Sequence, residues 1–460
     1  MKNSVPITVI TLSLVLMALV PAHAQETSAT VITVAHADEN GFSTLYKFQP
    51  ADPNTGASKL GSQPDSRPVL GTDNSVYGMT SVGGNNGAGV IYRFDMESHK
   101  YRVLYAFSAL DTNGTNADGA YPGVALTRGP GDAFYGMAQF GGRNGNGTIF
   151  KITQSGEFSV LHTFSALDAN AQNEDGASPL RAIVVGPNGN LYGTTRIGGK
   201  NTCGELPFPN ACGVAWMIDK RGNFHVLHQF TPDEGHAASL LLAKDGSLYG
   251  CGVWPNTHLG NGEPLPSGTL FRMGTSGENF ELLYTFSQTD STGENSDGAD
   301  CYEPLVETYP GVFYGTTRLG GTSGNGVVFR YSLSDPGEVE ILHQFSATNA
   351  SGENWDGANP YARLTLGDDG AMYSTASNGG QNGTGVVYRI RQDGDFRVLY
   401  TFSPIDANTG ANRDGAFPDF GVILKSDHHL IGTTPVGGLG SSSGLGFSGG
   451  TVYRLSVDGN

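Results

Sequence analysis

Basic charge is scarce in this chain: 26 Lys and Arg stand against 43 Asp and Glu, a formal charge of −17. Phosphate backbones are held by basic stripes, and none is present, so a nucleic-acid partner is excluded. Long apolar runs are absent apart from Ile7 to Val20, which follows Lys2 and leads through Pro21 into Ala22-His23-Ala24. That pattern reads as a secretory signal peptide over residues 1–24, cleaved after Ala24, and with no second apolar stretch there is no membrane span. The four cysteines include no Cys-x-x-Cys pair, which argues against a zinc site. Also missing are the G-x-S-x-G, H-E-x-x-H and phosphate-loop patterns of common hydrolases and nucleotide enzymes. Helical periodicity is scarce, while glycine is abundant at 68 residues; many short strands joined by turns are the expectation.

What the chain has instead is repetition. The phrase "NLYGTTRIGG" (190–199) returns as "VFYGTTRLGG" (312–321), with variants at 75–84, 133–142, 247–256, 371–380 and 429–438. A second phrase, "VLYAF" (103–107), recurs with its leucine at Leu45, Leu104, Leu161, Leu227, Leu283, Leu342 and Leu399, in steps of 56 to 66 residues. Residues 179–230 show one period: "PLRAIVV", a "GPNGN" turn, "LYGTT", a glycine-rich loop, "GVAWMI", a "DKRGN" turn and "FHVLHQF". Tight Gly/Asn/Asp turns join antiparallel neighbours, so each unit is a four-stranded meander. Seven such units protect their edges by closing into a ring.

The chain ends close that ring. The last unit stops at its third strand, "GTVYRL" (450–455), and an orphan fourth strand, "FSTLYKF" (42–48), opens the chain. The expectation is an all-β, seven-bladed β-propeller over residues 42–460, latched by its N-terminal strand and preceded by a segment, 25–41, with no assigned place. Within the repeat, Gly193 is expected to leave room for close backbone approach, and Gly198-Gly199 to supply a positive-φ turn. His162, His228 and His343 are read as structural, because Tyr takes their place in other units.

The strand–GG–strand pattern, as in "LYGTTRIGG" followed by "GVAWMI", resembles a kelch repeat without its tryptophan. The full unit, "LYGTT..GG..G.G..F.I...G.F..L..F......DGA.P", is similar to the Gloeobacter/Verrucomicrobia-type (GloVer) tandem repeat of exported bacterial proteins. The resemblance implies a repeat architecture and export, and no particular activity.

Between units lie polar loops such as "SPIDANTGANRDGAFP" (403–418). Their Asp118, Asp175, Asp297, Asp356, Asp406 and Asp414 have two readings: calcium ligands, since alternating hard oxygens before a glycine suit that ion, or Asx turns and caps. These loops resemble the calcium loops of integrin-type propellers, with different spacing and no closing Glu.

Irregularities converge on the third to fifth units: insertions at 200–213 and 253–268, the shortened "DEGHAAS" (233–239) and "DCYEP" (300–304). Cys203 and Cys212 share one loop and are expected to bridge; Cys251 and Cys301 are expected to staple neighbouring blades. Around them, Trp254, His236, His258, Glu263, Tyr302 and Glu303, with Arg196 and Arg318 of the "TTR" loops, form the expected ligand site on the loop face. The leading reading is a secreted or periplasmic monomer that binds a glycan or extracellular protein. The alternative is a polysaccharide lyase, with Arg196 or Arg318 neutralising a uronate and His236, His258 or Tyr302 as base, or a glycoside hydrolase using Glu263 and Glu303.

Overall fold

The computed structural model describes residues 41–179, 181–203, 211–253, 267–440 and 448–457. The signal-peptide and 25–40 readings, together with Trp254, His258 and Glu263, lie outside them. The described chain is all strand and turn, in seven four-stranded antiparallel sheets arranged as a ring. The first blade runs from Val69–Leu70 at the axis to Tyr101–Ala106 at the rim. The next five run from Thr127–Arg128 to Phe158–Thr163, Val184–Val185 to Phe224–Gln229, His236–Leu242 to Glu281–Thr285, Val306–Tyr309 to Asp335–Gln344, and Thr365–Leu366 to Phe396–Thr401. The seventh takes Val422–Leu424, His429–Thr434 and Thr451–Ser456 from the C-terminal end of the described chain and its outer strand, Phe42–Lys47, from the N-terminal end. Phe42 pairs with Leu455 and Lys47 with Thr451, so the expected latch is present.

Core clusters sit between blades rather than within them. Met137, Ile149 and Phe164 of the second blade meet Ile183, Leu191 and Trp216 of the third; Phe48, Leu45 and Tyr46 tie the seventh to Val76 and Phe94 of the first. Outer strands are stitched by parallel rings: Tyr105 on Phe158 at 3.9 Å, His162 on Phe224 at 3.9 Å, His228 on Phe280 at 4.0 Å and His343 on Phe396 at 3.7 Å. This is why Tyr and His alternate at that position: both offer a flat ring and a donor at its tip.

Gly198 and Gly199 have φ of 77° and 82°, as the turn requires. Gly193 serves differently from the expectation. It pairs directly with Trp216, and a methyl there would overlap the indole, so the space holds a cross-strand ring and not a neighbouring backbone. The two disulfides join Cys203 to Cys212 and Cys251 to Cys301, with Cα separations of 4.9 and 5.7 Å.

Candidate ligand-binding cavity on the ring axis

The polar loops repeat one hydrogen-bond pattern. Asn354 Oδ1 accepts the N–H groups of Gly357 and Gly380, and its amide donates to the carbonyls of Ser346 and Gly357. Asn116, Asn173, Asn295 and Asn412 do the same in their blades. Two residues on, Asp356 lies against His343 Nε2 at 3.0 Å and takes the N–H and hydroxyl of Ser346. Asp118, Asp297 and Asp414 instead accept a Tyr hydroxyl with the Ser donors. At Asp175, desolvation is outweighed by the His162 and Ser165 donors, which hold its carboxyl below the ordinary value. In the shortened fourth loop Glu234 substitutes, bonding His228 at 2.8 Å and the Thr231 N–H. Asp406 closes an exposed Asx turn on Asn408 and Thr409. These carboxylates therefore act as caps on protein donors, and among the described residues no group of three or more His, Cys, Asp or Glu is arranged to hold a metal.

Immediately after each Asp-Gly-Ala, one residue takes the left-handed conformation: Tyr121, Ser178, Asp300, Asn359 and Phe417, with φ from 53° to 63°, and Gln63 at 56°. Its N–H reaches back to the preceding blade, as in Tyr121 to Ala88 at 3.0 Å, Asp300 to Ser267 at 2.8 Å and Asn359 to Asn325 at 2.8 Å. Such strain persists only where surroundings enforce it. Here the bond between blades enforces it.

Two of them, Tyr121 and Asn359, open onto a cavity of about 640 Å³ lined also by Asp65, Phe140, Arg318, Tyr361 and Asp419. Tyr121 and Phe140 meet edge to face at 5.9 Å and remain 37% and 43% exposed, presenting bare aromatic surface to the cavity. Asn378 donates to Asn359 at 3.0 Å, and Gln139 to Ser178 at 3.1 Å. Burial pushes Asp65 up to about 7, with the nearby Asp419 charge raising it further against a Ser81 hydrogen bond, and burial raises Asp419 to about 6.

Of the residues singled out in the sequence, Arg318 lines this cavity, held by Asp300 at 2.9 Å. Its guanidinium and that of Arg181 lie 5.5 and 4.7 Å from the Tyr302 ring. Glu303 is buried in an ion pair with Arg181 at 2.8 Å, and Arg181 also donates to the Tyr361 hydroxyl at 2.7 Å. Arg196 and His236 do not line the cavity. His236 is buried, its Nδ1 3.0 Å from the Arg196 carbonyl, and desolvation lowers its pKa, which keeps the ring neutral. Tyr302 has its hydroxyl pKa raised by burial, the wrong direction for a base at neutral pH. Asp65, Asp419, Tyr121 and Tyr361 went unrecognised in the sequence. The available signal was the variable fourth residue of "DGAYP", "DGASP", "DGANP" and "DGAFP", set inside an otherwise repeated frame.

Fold and loop frame together define a seven-bladed β-propeller built from tandem repeats. The Gloeobacter/Verrucomicrobia repeat model matches residues 21–251 and 169–354, and the chain belongs to that family. No curated protein matches it. Similar solved structures include an oligogalacturonate lyase in complex with manganese (TM-score 0.50, 11% identity, 94% of this chain and 96% of that one). Others are a putative 6-phosphogluconolactonase from Bacteroides uniformis (0.45, 14%, 75% and 86%) and TolB from Acinetobacter baumannii (0.37, 11%). This chain covers 59% of TolB's length, and 67% of this chain is matched. At such identities the likeness is one of fold, which serves unrelated functions.

Proposed function

We propose that this protein is an exported carbohydrate-binding propeller whose ligand sits in the axial cavity. The observation that carries the reading is the exposed Tyr121–Phe140 ledge beside a ring of amides and carboxylates. Aromatic faces take the apolar side of a sugar ring, and Asn359, Asn378, Gln139 and Asp419 offer partners for its hydroxyls. The two disulfides fit an extracellular or periplasmic protein. Calorimetric titration of a panel of neutral and acidic oligosaccharides tests the reading, with Tyr121→Ala as the site variant. Binding by no member, or binding indifferent to that change, counts against it.

A carbohydrate-active enzyme is the second reading, favoured by the two carboxylates of raised pKa in one cavity. Such pairs suit general acid–base work near neutrality. A reducing-end assay and absorbance of unsaturated products over the same panel would reveal turnover, which Asp65→Asn and Asp419→Asn should each abolish. Absence of turnover across the panel would leave the binding reading.

A further inference from the structure

Arg181 and Arg318 bring positive charge to the lining of the axial cavity. Arg181 is buried and both its amino groups are engaged, one on Glu303 at 2.8 Å and the other on the Tyr361 hydroxyl at 2.7 Å. Arg318 is different. Its side chain is 39% exposed and makes a single hydrogen bond among the described residues, to Asp300 at 2.9 Å. A guanidinium carries five donors in a planar fork, so most of these are unused, and the Nε of Arg318 is a buried donor without a partner among the described residues. The repeat shows what is particular about this position. Arg318 of the fifth blade corresponds to Ser81, Gln139 and Ser377 of the first, second and sixth, and all four line the cavity. The frame thus presents one variable side chain from each of these blades, three of them neutral and one a cation. Other carboxyls nearby oppose an anion weakly. Burial raises Asp300 despite its Arg318 partner, and it keeps protons on Asp65 and Asp419 up to about pH 7 and 6.

We propose that Arg318 is the specificity-determining residue of the axial cavity and that the carbohydrate held there carries a carboxylate. Guanidinium and carboxylate form a charge-assisted pair, stronger than the neutral hydrogen bonds offered by the amides around it. The inference rests on the carbohydrate reading of the cavity and adds the charge of the ligand. The unmodified protein would be titrated calorimetrically at about pH 5, where a sugar acid is still ionised. The probes are oligosaccharides of galacturonate, mannuronate and glucuronate, each beside its own methyl ester, which keeps the shape and removes the charge. At least one acid should bind about tenfold more tightly than its ester, the scale of one charged hydrogen bond. Arg318→Gln, whose amide can still donate to Asp300, should bind acid and ester alike, and Arg196→Gln, outside the cavity, should keep the preference. Asp300→Asn suits the left-handed backbone at that position, φ 63°, and releases Arg318 from its partner. It should tighten the acid alone, and it keeps the test open if Arg318→Gln fails to fold. Esters that bind as well as their acids, or a preference for acid that survives Arg318→Gln, would overturn the inference and leave the carbohydrate reading in place. Binding of neither form would also overturn it, and the carbohydrate reading falls with it only if neutral oligosaccharides are silent too.

Discussion

The Phe42 ring stacks on Tyr400 of the sixth blade at 4.0 Å with planes 9° apart, although the residues stand far apart in the sequence. Phe42 also touches Phe402 and Tyr453. The N-terminal strand is thus both the outer edge of the seventh blade and a plug in the seam beside it. Phe42→Ala should cost about 3–5 kcal/mol of stability, the range for truncating a buried aromatic, and lower the denaturant midpoint of the whole ring. A midpoint within error of the unmodified protein would mean that the latch carries no weight.

Asn354 satisfies four backbone groups with one side chain. Its replacement by Ala removes these bonds, leaving the Ser346 carbonyl only its Asn325 donor, and should cost about 1–3 kcal/mol in chemical denaturation. Because protein donors occupy the neighbouring Asp356, the melting temperature should be equal in millimolar calcium and in chelator. A calcium-dependent rise would return the aspartates to the metal reading, since a ligand of the folded state alone stabilises it.

The disulfides should differ in weight. Cys251 and Cys301 are 50 positions apart and Cys203 and Cys212 are 9 apart. On chain entropy the longer closure contributes about 4 kcal/mol and the shorter about 2.5 kcal/mol. Paired Cys→Ser variants measured by urea unfolding should rank in that order, and the reverse ranking would show that loop entropy does not govern them.

Asp65 gives the pH prediction. Its folded-state pKa is raised from 3.8 to about 7, so the native state holds the proton more tightly than the unfolded chain does. Its contribution to stability is therefore fully present below pH 4 and is lost as the pH rises to about 7. Asp65→Asn, which keeps an acceptor for Ser81, should match the unmodified protein at pH 4 and exceed it in melting temperature above pH 7. A gap that is constant across this range would rule out the shift.

The blade count, the latch and both bridges were legible in the sequence because each is a local or periodic feature: seven leucines at steps of 56 to 66 residues, an unpaired "FSTLYKF", one cysteine pair within a loop and the other in adjacent blades. The aspartates were legible as loop residues, but their partners were not, because His343 and Ser346 come from the preceding strand. Gly193 is legible as making room for close backbone approach, but the room is taken by the Trp216 ring, which crosses from the paired strand. The axial cavity was least visible. Asp65, Tyr121, Tyr361 and Asp419 belong to four blades and are spread over most of the chain, so only ring closure brings them together. The insertions are the conspicuous departures from the repeat, whereas the lining residues sit in its most regular part.

The most direct measurement of the central claim compares three variants against the best ligand of the oligosaccharide panel by calorimetry. Tyr121→Ala should weaken binding by about 1–3 kcal/mol, as truncation of a central aromatic anchor does, while Arg196→Ala and Trp254→Ala leave it unchanged. Full affinity in Tyr121→Ala, with binding abolished in Trp254→Ala, would place the ligand over the third to fifth blades and contradict the axial site.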